Sequence, residues 1–214
     1  MPERWEVPHF STDRLKTLTD GVIAIVITLL VLELSVPVVK ELPHSDGLWP
    51  EVRGLWREYL AYVVSFFIVG LLWLYHHNVF RHIKAADGRL LLLNMFYLLA
   101  VSIMPFSSAL VAKNSDERLA AVIYGASLFL AAASMAAIFA YASYRKRLVD
   151  ENMTDAFIRR ENITAAAVTI LLAIAAVLGI INAAFTYIIL ALVGVFYWLI
   201  IAFEREGVSF RRRT

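Results

Sequence analysis

Cysteine is absent from the 214 residues, which excludes disulfides, thiolate metal centres and thiol nucleophiles together. Charge is scarce as well. Asp, Glu, Lys and Arg make up 18% of the chain, whereas a soluble domain carries about a quarter. The net charge is only +2 and no basic patch is interleaved with aromatics, so no nucleic-acid partner is expected. No HExxH motif is present, and the polar opening "MPERWEVPHFSTDR" does not read as a cleavable signal peptide. What remains is apolar. Hydrophobic residues reach 60% and the mean hydropathy is +0.69, the composition of an all-α integral membrane protein.

A spanning helix needs about 20 apolar residues, because the hydrocarbon layer is about 30 Å thick. Six segments qualify, at 17–38, 57–80, 90–111, 118–144, 163–181 and 183–203, and together they make one transmembrane domain over 1–214. The last two are separated on length. Ile163 to Phe203 contains no charged residue, yet as one helix it would run about 60 Å, twice the bilayer. The chain must turn back, and "GIINAA" (Gly179–Ala184) supplies a helix-stopping Gly and a turn-tolerant Asn182.

Basic residues orient the spans. With an even number of spans, one side carries Lys40, Arg53, Arg57, Lys113 and Arg118; the other fifteen of the 20 Lys and Arg fall with the termini and the loops near 81–89 and 145–160. The positive-inside rule places both termini in the cytoplasm. The first outer loop, with three prolines and an amphipathic run carrying Trp49, Trp56 and Tyr59, reads as a short interfacial helix anchored by aromatics. The carboxy-terminal "SFRRRT" reads as a positive-inside anchor that also attracts anionic lipid.

The most informative stretch is "RLKTLTDGVIAIVITLLVLEL" (Arg14–Leu34), a charged, hydroxyl-bearing head that runs straight into an apolar tail. Ile25, Leu29 and Leu32 share one helical face at i, i+4 and i+7. Thr28 sits on its edge, and Thr17 and Asp20 continue the stripe. An ionised Asp at the centre of a span costs about 2.5–3.5 kcal/mol. That cost falls near the cytoplasmic end, but Asp20 still calls for a partner. Arg14 is six residues away and off the helical spacing, so any pairing crosses to another helix or subunit. Elsewhere, His76 and His77 are adjacent and diverge by about 100°, which does not chelate one metal as an i,i+4 pair would; hydrogen-bonded histidines and a metal site both stay open. Glu33 reads equally as a ring at the outer mouth and as a carboxylate at headgroup level. Asn94, Ser102, Ser107 and Ser108 surround Pro105 and can re-satisfy backbone groups freed there. The alanines of the fourth span suit close helix packing.

The head "RLKTLTD" resembles the R-x-x-x-F-S-D signature of the transmembrane protein 175 family of lysosomal and prokaryotic potassium channels, with Leu18 in place of Phe and Thr19 in place of Ser. "WLYHH" (Trp73–His77) and the six-span layout extend the resemblance over the chain. It implies a prokaryotic plasma-membrane potassium channel, a homotetramer without a TVGYG filter, whose first span lines a central pore. Ile25, Leu29 and Leu32 would form the constriction and Thr28 the polar ring tied to selectivity. Arg14, Thr19, Asp20, Trp73 and His77 would form a structural polar network. No cofactor or metal is implied beyond permeant K⁺ and other monovalent cations in a lipid bilayer. The chemistry has two rivals. An intramembrane enzyme lacks a nucleophile–base pair, and an ion- or proton-coupled small-solute transporter would want several midspan ionisable groups.

Overall fold

The structure, a computed structural model, describes residues 11–37 and 48–211, with side chains through Trp198. The outer-loop residues 38–47, the first ten residues and the tip of the "SFRRRT" anchor lie outside it.

Helix α1 runs Thr12–Leu32. It starts five residues before the expected span and stops six before its end. The start is polar: Ser11 precedes it, Lys16 pairs with Asp13 at 3.3 Å, and the Thr17 hydroxyl donates to the Asp13 carbonyl. These groups lie at headgroup level, so hydropathy alone does not see the first turn. At the other end Glu33 caps the helix, and Pro37 pushes Val36 out of helical conformation. Glu33 thus terminates the helix instead of continuing it, and the Ser35 amide donates to Glu58 at 2.8 Å.

The expected interfacial helix is α2 (Leu48–Gly54), which leads into α3 (Trp56–His82). The third span divides into α4 (Gly88–Ser102) and α5 (Met104–Lys113), with Pro105 in the first turn of α5, where its missing N–H leaves no bond unmade. Helix α6 (Arg118–Ser143) ends in a 3₁₀ turn, Tyr144–Lys146. Helix α7 (Asp155–Gly179) begins at the Thr154 cap, eight residues before the expected span, and α8 covers Ala183–Arg211. Among the described residues, five stretches are long and apolar enough to cross a bilayer: α1, α3, α4–α5, α6 with its 3₁₀ turn, and α7. Over Ala183–Trp198, α8 adds a shorter apolar stretch.

Packing divides the bundle in two. Helix α1 lies against α3, α4 and α5; α6 joins α4 to α7 and α8. The α6–α7 contact is the most extensive, and small residues make it close. A Cβ on Gly125 would stand 3.0 Å from the Ala176 Cα. Gly179 is needed for a similar reason, not to turn the helix: its Cβ would fall 2.6 Å from the Thr186 hydroxyl, which donates to the Ala175 carbonyl at 2.8 Å. The turn itself is made by Asn182, whose side chain accepts from the Ala184 amide. At the basic end the two inter-helix loops pair through an antiparallel bridge, Ile83 with Val149, flanked by backbone hydrogen bonds from the Lys84 amide to the Leu148 carbonyl and from the Asp150 amide to the His82 carbonyl.

Candidate functional site

Two faces of α1 differ sharply. Leu15, Thr19, Ile23, Val26 and Leu30 are buried against the neighbouring helices. The opposite face carries Leu18, Gly21, Ile25, Thr28 and Leu32 at heptad spacing, with Leu29 beside them, and nothing among the described residues covers it. Ile25 is 59% exposed, Leu29 40% and Leu32 75%. The four residues expected at the constriction and the polar ring therefore share one uncovered face. From Ile25 to Leu32 they extend over about 10 Å along the axis.

Thr28 has a defined rotamer. Its hydroxyl donates back to the Ile25 carbonyl at 2.8 Å, with the Ala24 carbonyl at 3.2 Å. This is the usual refuge of a helical hydroxyl in an apolar setting. The proton is committed to the backbone, and the oxygen lone pairs are left for the uncovered side.

The residues expected in one polar network fall into two sets of contacts, with no hydrogen bond between them among the described residues. Trp73 Nε1 donates to Asp20 Oδ1 at 2.8 Å, so the acid has a partner on another helix, at the surface of the bundle and not in its interior. One residue back, Thr19 is fully buried. It accepts from Asn94 Nδ2 at 3.1 Å, while Asn94 Oδ1 lies 3.2 Å from His76 Nε2. This pattern assigns the imidazole proton to Nε2. His76 is stacked between Phe80 (ring centroids 4.1 Å) and Tyr97 (5.4 Å). The network histidine is thus His76. His77 is exposed on the outside of α3, with the Trp73 ring 5.8 Å away, and makes no hydrogen bond among the described residues. Arg14 is exposed and forms neither a hydrogen bond nor an ion pair among the described residues.

Asn94, expected from the sequence to re-satisfy backbone groups near Pro105, instead joins three helices: α1 through Thr19, α3 through His76, and its own α4. A signal was available, since a lone carboxamide deep in a leucine-rich span is costly unless it is paired. Ser102 and Ser107 do bond back to the Leu99 and Met104 carbonyls around the Pro105 break. Ser108 instead meets Ser65 at 2.7 Å, and Ser65 meets the Tyr124 hydroxyl at 2.9 Å, a second buried polar contact between helices.

Comparison with known proteins agrees with this architecture. Residues 14–105 match the family described as Endosomal/lysosomal potassium channel TMEM175. A potassium channel of Streptomyces collinus is 36% identical over 126 residues, covering 59% of this chain and 60% of that protein. An endosomal/lysosomal proton channel TMEM175 of Danio rerio is 38% identical over 144 residues, 60% of this chain but only 28% of the relative. The chain thus spans less than two thirds of the length of these relatives. The crystal structure of a lysosomal potassium-selective channel TMEM175 homolog from Chamaesiphon minutus superposes with a TM-score of 0.77 at 26% identity, over 88% of this chain and 96% of that one. These relatives are named as ion channels, not enzymes. Its amino-terminal helices thus match the TMEM175 family model, and most of its helical course superposes on a solved TMEM175 homologue, so this multi-pass membrane protein is similar to these channels.

Proposed function

We propose that the protein is a potassium-permeable cation channel of a prokaryotic plasma membrane. In this reading it is a homotetramer with six spans per subunit, all in the single domain 1–214, and both termini cytoplasmic. The observation that carries the reading is the uncovered face of α1. A helix held by a buried polar network on one side presents isoleucine, leucine and one threonine on the other, in register along its axis. Four copies around an axis turn that stripe into stacked apolar rings at Ile25, Leu29 and Leu32, a constriction that closes by dewetting. Thr28, its proton already committed to the backbone, adds four oxygens beside the tightest ring. A cation passing the rings must shed water without ligands, and the hydroxyl ring gives back part of that loss. No cofactor is needed for this cycle.

Recordings in planar bilayers test it. Ile25→Asn places four amides at a dry ring and should raise basal current. Thr28→Ala removes hydroxyls without widening the ring, so it should shift the K⁺/Na⁺ bi-ionic reversal potential more than the conductance. Unchanged current in the first variant, together with an unchanged reversal potential in the second, would remove this face from the ion path. A wild-type reversal potential that follows the proton gradient would replace K⁺ with H⁺ as the permeant ion.

A further inference from the structure

A cavity of about 410 Å³ opens between α3, α7 and α8 at the basic end of the bundle, away from the uncovered face of α1. Its inner wall is apolar, with Leu71, Leu74 and Phe196, and its rim carries Asn78, Arg81, Arg160 and Thr164. From Leu71 to Arg81 is ten residues of helix, about 15 Å, which is half the hydrocarbon layer. The cavity therefore runs from headgroup level to the depth an acyl chain reaches.

The rim chemistry is specific. Arg160 pairs with Glu161 at 3.3 Å, whereas Arg81 has no carboxylate partner among the described residues. Two arginines and one glutamate leave a formal charge of +1 on the cavity wall. Asn78 and Thr164, both on its rim, make no side-chain hydrogen bond among the described residues, so a donor from each helix remains available. A phosphodiester carries one negative charge and accepts several hydrogen bonds. Basic pockets between membrane helices at the cytoplasmic side hold anionic headgroups in this way.

We propose that this cavity binds one anionic phospholipid of the phosphatidylglycerol type. Its phosphodiester sits between Arg81 and Arg160, and an acyl chain lies along Leu71, Leu74 and Phe196. The site does not depend on what the α1 face conducts, so it is tested by binding and not by current.

The experiment titrates the purified full-length protein in detergent with dioctanoyl phosphatidylglycerol, followed by native mass spectrometry. Parallel titrations use dioctanoyl phosphatidylcholine and glycerol phosphate. Saturable binding of phosphatidylglycerol is expected, with phosphatidylcholine at least fivefold weaker and glycerol phosphate not bound. Arg81→Gln should weaken binding about fivefold, the effect of one basic group at a membrane surface. Leu74→Trp and, from the facing helix, Thr164→Trp fill the cavity without touching the arginines, and either should abolish saturation. Arg89→Gln alters the same basic end outside the cavity and should change nothing. Equal binding of the two lipids, an equal loss in Arg89→Gln, or full competition by glycerol phosphate would overturn the proposal. The last result would leave a free-phosphate site in its place.

Discussion

Trp73 of α3 donates its indole proton to Asp20 of α1 across 2.8 Å, one residue along from the point where Thr19 is held by Asn94. A hydrogen bond to a carboxylate contributes about 1.5–3 kcal/mol. Trp73→Phe should therefore lower the unfolding free energy of the solubilised protein by about that amount. Asp20→Asn, which keeps an acceptor oxygen, should cost clearly less than Asp20→Ala. Thermal unfolding of the three variants checks the order, and equal losses would show that the carboxylate acts elsewhere.

Asn94→Leu strands two buried groups, Thr19 and His76. Each unpaired group costs about 1–3 kcal/mol, so this variant should be among the most destabilising single changes in α4. Adding Thr19→Val and His76→Phe removes the orphaned groups and should recover a good part of the loss. A triple variant no better than Asn94→Leu alone would argue that packing, not pairing, fixes these helices.

Gly179→Ala drives a methyl into the Thr186 hydroxyl and should cost about 1–3 kcal/mol, the range for overpacking. Pairing it with Thr186→Ala relieves the clash but gives up the bond to the Ala175 carbonyl, so recovery should be partial. Denaturant titration of the single and double variants measures the coupling.

The loop carboxylate Asp87 gives a pH signature. Burial raises its pKa, but the Tyr141 hydroxyl, the Leu90 amide and the Arg147 guanidinium outweigh that and hold it below the usual carboxylate range. A folded value below the unfolded one means that its stabilisation is present above about pH 4. It is lost as the pH falls through the folded value. Asp87→Asn should therefore be less stable than wild type at pH 7, with the gap closing toward pH 3. A gap that stays constant with pH would rule out the ionised triad.

Much of this was legible in the sequence because the bilayer imposes one length and one polarity. Hydropathy marks α1, the break at Pro105 and the turn at Asn182. It does not mark the polar first turns of α1 and α7, since those lie beyond the hydrocarbon. The stripe of Ile25, Leu29 and Leu32 is a property of one helix, and periodicity suffices to find it. The choice between His76 and His77 is a different matter. Adjacent residues point about 100° apart, and only the rotation of α3 against α1 and α4 decides which one meets Asn94. Gly179 reads as a helix stop for the same reason: the hydroxyl that forbids a side chain there belongs to Thr186, seven residues on, across a turn and on another helix.

The clamp made by Asn94, Trp73 and His76 grips α1 at Thr19 and Asp20, in its first half, while the half beyond Ile23 makes no side-chain hydrogen bond to another helix among the described residues. Turning α1 about its long axis would break its two bonds to the neighbouring helices, Asp20 with Trp73 at the surface and Thr19 with Asn94 in the interior, and the buried one has no water to replace it. A small lean about that point displaces these atoms least. The clamp therefore acts as a pivot: it forbids rotation and permits tilt. Leu32 stands thirteen residues from Thr19, a lever arm of about 20 Å, so a lean of roughly 5° carries it about 2 Å sideways.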